Sequence, residues 1–394
     1  MEGYDYYGSF SQVPDPLVVQ PRRPIRRLTS YPIAKPLTWW EMFFGRSEGY
    51  TIEPTLPPGK KGFVVGNQDT SGGGKVDALG ANWYYTWGPT PLETPPPSGV
   101  LFTPMFWNIA KTTNPTAVIN TLKTLNVPGQ ENILLTYNEP DGTNASAQAN
   151  MKVGDAVAFW PQIVSTGRRL GSPVMYGSVL VPPKTPNPNN TPLPAGGSAP
   201  VTVNISNTDT PNNVTLNPQI WLDNFLIQIS KLTPATHFPD FICIHWYGPP
   251  NPNSFLTYIQ NVYNKYKLPI WITEYSSADW TATCCPGGVT KHTVVSGINW
   301  APLGPEDDPS DNSTANFMQQ TMQGLESMSF VERYTWKERF RLVPFTNPNN
   351  ITGDSAESPT NPDVMGQSVL FDSYMHFPTS TPDLTPLGQL YAKS

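Results

Sequence analysis

From about residue 60 onward, short apolar runs alternate with longer stretches in which apolar residues return every three or four positions. The runs read as buried parallel strands, the recurrences as helices with one face toward a core. In order, the strand candidates are Gly62–Gly66, Leu79–Trp87, Leu101–Trp107, a run that opens at Ile133 and breaks at Pro140, Pro173–Leu180, Asp240–Tyr247, Pro269–Glu274 and Phe330–Trp336. A helix opens at Asn114-Pro115, a favourable cap and first turn, with Val118, Ile119, Leu122 and Leu125 on one face. Further helices are expected over about 154–170, after Pro218 (Trp221, Phe225, Ile229), along Phe255–Tyr266, along Phe317–Met328 and over Leu384–Ala392. One alternating series of eight strands predicts an α/β fold, a (β/α)8 TIM barrel, over residues 61–394.

Three stretches interrupt this rhythm. Residues near 182–217, 276–312 and 338–368 are rich in Pro, Asn, Thr or acidic residues and read as long loop insertions. Residues 1–60 read as an extended arm, because Pro14, Pro16, Pro21, Pro24, Pro32 and Pro36 block regular structure. Its aromatic segment, Trp39-Trp40-Glu41-Met42-Phe43-Phe44, favours docking on the barrel or on a protein partner, since exposed aromatics in a row are a liability.

Composition narrows the function. Charged residues are 14% and the net charge is −6, which points to neither nucleic acid nor an acidic membrane. The segment Met1–Tyr7 lacks a basic stretch followed by an apolar run, so no secretory signal is read there, and no run of membrane-spanning length occurs. Three Cys make no disulfide framework, and Cys243 is expected to be buried in its strand. With four His and no paired ligand spacing, neither a metal nor a cofactor is expected. The 12 Trp gather at predicted strand ends, where flat rings suit the faces of sugars.

Two strand ends carry the chemistry. In Ile133-Leu-Leu-Thr-Tyr-Asn-Glu-Pro-Asp141 the strand stops at Pro140, which has no amide proton, and leaves Glu139 at its tip. Pro269-Ile-Trp-Ile-Thr-Glu-Tyr275 places Glu274 in the same way. The fourth and seventh strands of a barrel face each other, so their tips can hold two carboxylates about 5–5.5 Å apart, as a retaining glycosidase requires. Asn138 is placed to donate to a sugar hydroxyl, and His245 and Tyr247 to keep Glu274 ionised and oriented. Trp83, Tyr85, Trp87, Trp107 and Trp336 are the candidate aromatics of the substrate cleft, and Glu332-Arg333 reads as a structural ion pair.

These motifs resemble a known family. Trp83–Trp87, Thr136–Asp141, Phe241–Tyr247, Pro269–Glu274, Val331–Trp336 and Leu384–Tyr391 are similar, in the same order, to glycoside hydrolase family 128, endo-β-1,3-glucanases with a clan A barrel. The resemblance implies that Glu139 is the acid/base, Glu274 the nucleophile and β-glucan the partner. It also implies an extracellular or wall-associated setting. Thr86 stands where the family usually carries Asn. The other reading is a glycosidase-like barrel serving as a carbohydrate-binding or structural part of a larger assembly, such as a virion or a cell-surface layer.

Overall fold

The computed structural model describes residues 59–277 apart from 68, 98, 111, 113, 127–131, 145–147 and 249, and then 294–295, 298–299, 314–337, 384 and 386–393. The arm over residues 1–58, the stretch carrying Trp280, Cys284, Cys285 and Trp300, and the 338–368 insertion lie outside the described residues.

The chain alternates strands and helices. It runs β1 (Lys61–Val64), α1 (Gly72–Ala78), β2 (Trp83–Tyr85), β3 (Leu101–Phe102), β4 (Met105–Phe106), α2 (Pro115–Thr124), β5 (Ile133–Asn138), α3 (Val153–Val164) and β6 (Arg169–Val174). It continues through β7 (Val201–Asn204), β8 (Asn213–Leu216), α4 (Trp221–Ile229), β9 (Ile242–Gly248), α5 (Pro252–Tyr266) and β10 (Ile270–Ser277). The last elements are β11 (Val294–Val295), β12 (Ile298–Asn299), α6 (Thr314–Ser327), β13 (Val331–Trp336) and α7 (Pro386–Lys393). Local chemistry sets the helix ends. The Asn114 side chain accepts from the Ala117 amide at 3.0 Å, and Asn251 does the same for Ser254 at 3.0 Å. In each case a proline follows the cap, where a missing amide costs nothing.

The strands form two parallel sheets, ordered β3-β2-β1-β13-β10-β9 and β4-β5-β6. Isolated parallel bridges, Gly171 with Phe241 and Met175 with Ile244, join β6 to β9. That approach needs a glycine, since a Cβ on Gly171 would lie 2.7 Å from Cys243 Sγ. The expected strand Leu101–Trp107 is split into β3 and β4. Between them the Thr103 amide bonds to Tyr84 O at 2.9 Å, while Pro104 offers only its carbonyl, to Leu135 N at 3.0 Å. This short run therefore passes from the edge of one sheet to the edge of the other.

Other boundaries moved as well, and the strand expected to end at Glu274 runs on to Ser277, which leaves Glu274 inside it. The strand expected over Pro173–Leu180 begins at Arg169 and ends at Val174. The helix expected to reach residue 170 ends at Val164, and Gly167, at a φ of 67°, turns the chain. Leu170, counted as the last apolar helix position, lies in β6. The expected strand Leu79–Trp87 shrinks to three residues because α1 occupies the preceding segment. The 182–217 insertion contains the β7–β8 hairpin, whose Val203, Val214 and Leu216 are buried.

Both faces of the parallel strands are covered, as their apolar runs require. One face packs on the helices through residues such as Trp160, Phe225, Tyr258, Ile272 and Phe317. The other carries a separate cluster that includes Val64, Trp83, Tyr85, Leu135, Val174, Cys243 and Trp271. Arg333 lies in this second layer, its guanidinium 5.1 Å from the Trp83 ring and 4.7 Å from the Trp271 ring. It does not pair with Glu332, which instead takes a bidentate contact from Arg169, 2.8 Å to each oxygen. The register of β10 on β13 shifts at Glu332, and the Trp271 indole N–H also donates to Glu332 Oε2 at 2.7 Å. Among the described residues no helix is long and apolar enough to cross a membrane.

Candidate active site

The strand carrying Glu139 leaves ideal geometry as it ends. Its pairing with β6 shifts register between Leu134 and Thr136 and again between Thr136 and Asn138. Tyr137 has a φ of 31° and Glu139 a φ of 52°, in the left-handed region that side chains with a Cβ avoid. Such strain costs about 1–3 kcal/mol per residue and persists only where the surroundings hold it. Here the Glu139 amide bonds to Val174 O at 2.8 Å, and the Asn138 amide to Trp107 O at 3.0 Å.

The 182–217 insertion adds to this hold. Asn189 Nδ2 donates to Pro140 O at 3.2 Å, Gly142 O at 3.0 Å and Asn150 Oδ1 at 2.9 Å, and Asn187 Nδ2 donates to Asp141 O at 2.7 Å. The Asp141 carboxylate accepts the amides of Tyr176 at 2.7 Å and Gly177 at 2.9 Å. Sequence reading missed these residues. Asparagine-rich loops carry no period, and only the folded chain shows which amide faces which carbonyl.

Glu274 sits in β10, buried, at another register shift, opposite His245 of β9. Its Oε1 accepts from Trp87 Nε1 at 2.8 Å and from Tyr85 at 3.2 Å, and its Oε2 accepts from the Tyr247 hydroxyl. Burial pushes the Glu274 carboxyl toward protonation. The positive charges of His245 and Lys337 and the donors Tyr247 and Trp87 more than offset it, and hold the pKa below 4.5. Lys337 lies with Nζ 5.0 Å from the Trp87 ring, a position that sequence reading did not single out.

His245 stands between the two glutamates. Its Nδ1 is 2.9 Å from Glu139 Oε1 and its Nε2 3.6 Å from Glu274 Oε1. Burial would lower its pKa, but the charges of Glu274 and Glu139, together with the Glu139 hydrogen bond, raise it above 6.5. As an imidazolium it presents one N–H to each carboxylate. Asn138 is buried, and its Oδ1 has no hydrogen-bond partner among the described residues.

The remaining candidates divide. Trp87, partly buried, touches Glu274, and the Trp107 carbonyl holds the amide of Asn138, the residue before Glu139. Trp83 does neither. It is fully buried two residues before Tyr85, with its indole N–H on Lys60 O at 3.0 Å and its ring against Arg333, so its contacts are those of a packing residue. Trp336 is also fully buried, its ring packing at 5.1 Å on Tyr275. Thr86 bonds its own loop, Oγ1 to Thr90 O at 2.8 Å. Among the described residues no three His, Cys, Asp or Glu side chains gather as metal ligands.

Comparison with known proteins places this geometry. The family model for the glycosyl hydrolase catalytic core matches residues 62–360. An endo-β-1,3-glucanase of family 128, subgroup I, from Amycolatopsis mediterranei, solved with laminarihexaose, is 26% identical, covering 85% of this chain and 99% of its own, with a TM-score of 0.50. A subgroup II endo-β-1,3-glucanase from Sorangium cellulosum is 18% identical over 85% of this chain and 98% of its own, with a TM-score of 0.49. A curdlan-specific exo-β-1,3-glucanase from Blastomyces gilchristii, subgroup III, is 20% identical over 86% of this chain and 100% of its own, with a TM-score of 0.45. No curated protein matches the sequence. The chain belongs to the glycosyl hydrolase catalytic core family and is a glycosidase of glycoside hydrolase family 128.

Proposed function

We propose that this glycosidase cleaves β-1,3-glucan with retention of configuration, Glu274 acting as nucleophile and Glu139 as acid/base. The observation that carries the reading is the convergence of both carboxylates on one imidazole, with Glu274 further supplied with donors that keep it ionised. The bound laminarihexaose of the Amycolatopsis enzyme supports the choice of glucan. The two sheets then close as an eight-stranded barrel, with β6–β9 and the β3–β4 run as its seams, which brings the β5 and β10 tips to one mouth.

In the first step Glu274 attacks the anomeric carbon while Glu139 gives its proton to the leaving oxygen. Glu274 becomes a neutral ester and Glu139 a carboxylate. In the second step Glu139 takes a proton from water, the water oxygen bonds to the anomeric carbon, and Glu274 leaves as a carboxylate. One glutamate is anionic at each stage, first Glu274 and then Glu139. His245 touches both, so its single positive charge serves whichever carries the charge. Trp87 and Trp107 offer apolar ring surface to the sugars, and Asn138 contacts the ring held between the glutamates.

Reducing-sugar release from laminarin and curdlan tests the reading. The wild type should act on both, Glu274→Ala should act on neither, and Glu139→Ala should lose most activity. Azide should restore turnover of an activated aryl glucoside by both variants, as the α-azide with Glu274→Ala and the β-azide with Glu139→Ala. Binding of glucan without any hydrolysis would favour the non-catalytic barrel instead.

A further inference from the structure

The strained turn that carries Glu139 is joined to the segment leaving β6 by one half-buried carboxylate. Asp141, two residues beyond Glu139, reaches across to residues 35 and 36 positions further along the chain, at 2.7 Å from Tyr176 N and 2.9 Å from Gly177 N. The approach is close enough that a Cβ on Gly177 would lie 3.1 Å from Asp141 Oδ2. Its own carbonyl takes Asn187 Nδ2 at 2.7 Å, so the residue is gripped at side chain and backbone. We propose that Asp141 is a positioning residue for the acid/base, a latch that fixes the left-handed Glu139 backbone against the β6 segment so that the carboxyl meets the leaving oxygen. The proposal rests on Glu139 being the acid/base.

A purely structural Asp would not need a charge. This one accepts two amide protons, and both bonds require the carboxylate, since a carboxylic acid turns one oxygen into a donor. Burial pushes its carboxyl up to about 6, against the pull of the Tyr176 and Gly177 amides and with a further push from Glu139. The other groups whose charge it feels or affects are His245 of β9 and Tyr258 of α5. The latch therefore opens as the pH falls through about 6.

The test compares laminari-oligosaccharides, whose leaving group needs a proton, with a dinitrophenyl glucoside, whose leaving group does not. Asp141→Asn should lower kcat on the oligosaccharide about 100-fold, the scale of a small misplacement, with KM little changed. It should largely spare kcat/KM on the dinitrophenyl glucoside, which reports only the first step, while kcat there still falls because Glu139 must take the proton from water, and the acid limb near pH 6 should disappear from its oligosaccharide profile. Gly177→Ala, which leaves the charge intact and crowds it, should show the same bias more weakly, and serves if the first variant does not fold. Equal losses on both substrates, in step with loss of folded protein, would overturn the latch, as would unchanged kinetics in both variants. Glu139→Ala run alongside separates the two ideas. If it shows the leaving-group bias and the Asp141 and Gly177 variants do not, the latch alone fails. If it shows none, the acid/base assignment falls and the latch with it.

Discussion

Tyr247→Phe removes one hydroxyl and leaves the ring in place. The hydroxyl donates to Glu274 Oε2, while Trp87 and Tyr85 remain on Oε1. A hydrogen bond to a charged group is worth about 1.5–3 kcal/mol, and one pKa unit corresponds to about 1.4 kcal/mol. The Glu274 carboxyl, held below 4.5 in the wild type, should therefore rise by about one to two units. The sign follows from which form works. The nucleophile must be ionised, so raising its pKa moves its own limb of kcat/KM, which lies below the one Asp141 sets near 6, to higher pH, and activity near pH 5 should fall more than activity near pH 7. The same variant should lose stability chiefly above the unfolded carboxylate pKa, where a depressed native pKa contributes. The assay is a kcat/KM profile on laminari-oligosaccharides over that range, with thermal unfolding at each pH. A lower limb, below the Asp141 one, that stays where the wild type has it would refute the assignment of Tyr247 as the donor that keeps Glu274 ionised.

Three further variants test other parts of the structure. Asn189→Ala removes the amide donor from Gly142 O and leaves Pro140 O on the Met151 amide, so denaturant unfolding should show a loss of about 1–3 kcal/mol, together with a lower kcat. Lys265→Met leaves Asp223 buried without the ammonium now 2.6 Å away, and should cost about 3–5 kcal/mol. Burial already raises the Asp223 carboxyl and the variant raises it further, so the loss should be greater at pH 8 than at pH 5 in denaturant unfolding. Glu332→Gln weakens the Arg169 pair and the Trp271 N–H on the same carboxylate at the opening ends of β6 and β13, away from Glu139 and Glu274; it should cost about 1.5–3 kcal/mol and leave kcat of the folded enzyme unchanged.

Much of the candidate site was legible because a proline or a change from apolar to polar residues marks where a buried strand meets polar groups. Glu139 falls directly after β5, while Glu274, His245 and Tyr247 lie inside β10 and β9, which run on to Ser277 and Gly248, and the structure brings the four together. Trp83 carries the same local signature but lies toward the other end of its strand, because β2 is only three residues long and a linear pattern does not say where in it the pocket begins. Cys243 was read as buried and is buried. The link between Glu332 and Arg169 spans 163 positions and leaves no trace in either neighbourhood. The hold of Asn187 and Asn189 on the Glu139 turn is hidden for another reason. A loop that looks unstructured by composition is ordered by amide-to-carbonyl bonds, and these depend on coordinates alone.

The central claim is that Glu274 attacks the sugar directly, with Glu139 supplying the proton. Proton NMR of a laminari-oligosaccharide digest, followed from the first minutes before mutarotation, reads this without any variant. The account predicts that the newly formed reducing ends appear first as the β-anomer and drift toward the α/β equilibrium. First appearance of the α-anomer would mean a single displacement by water, and would contradict a covalent Glu274 intermediate.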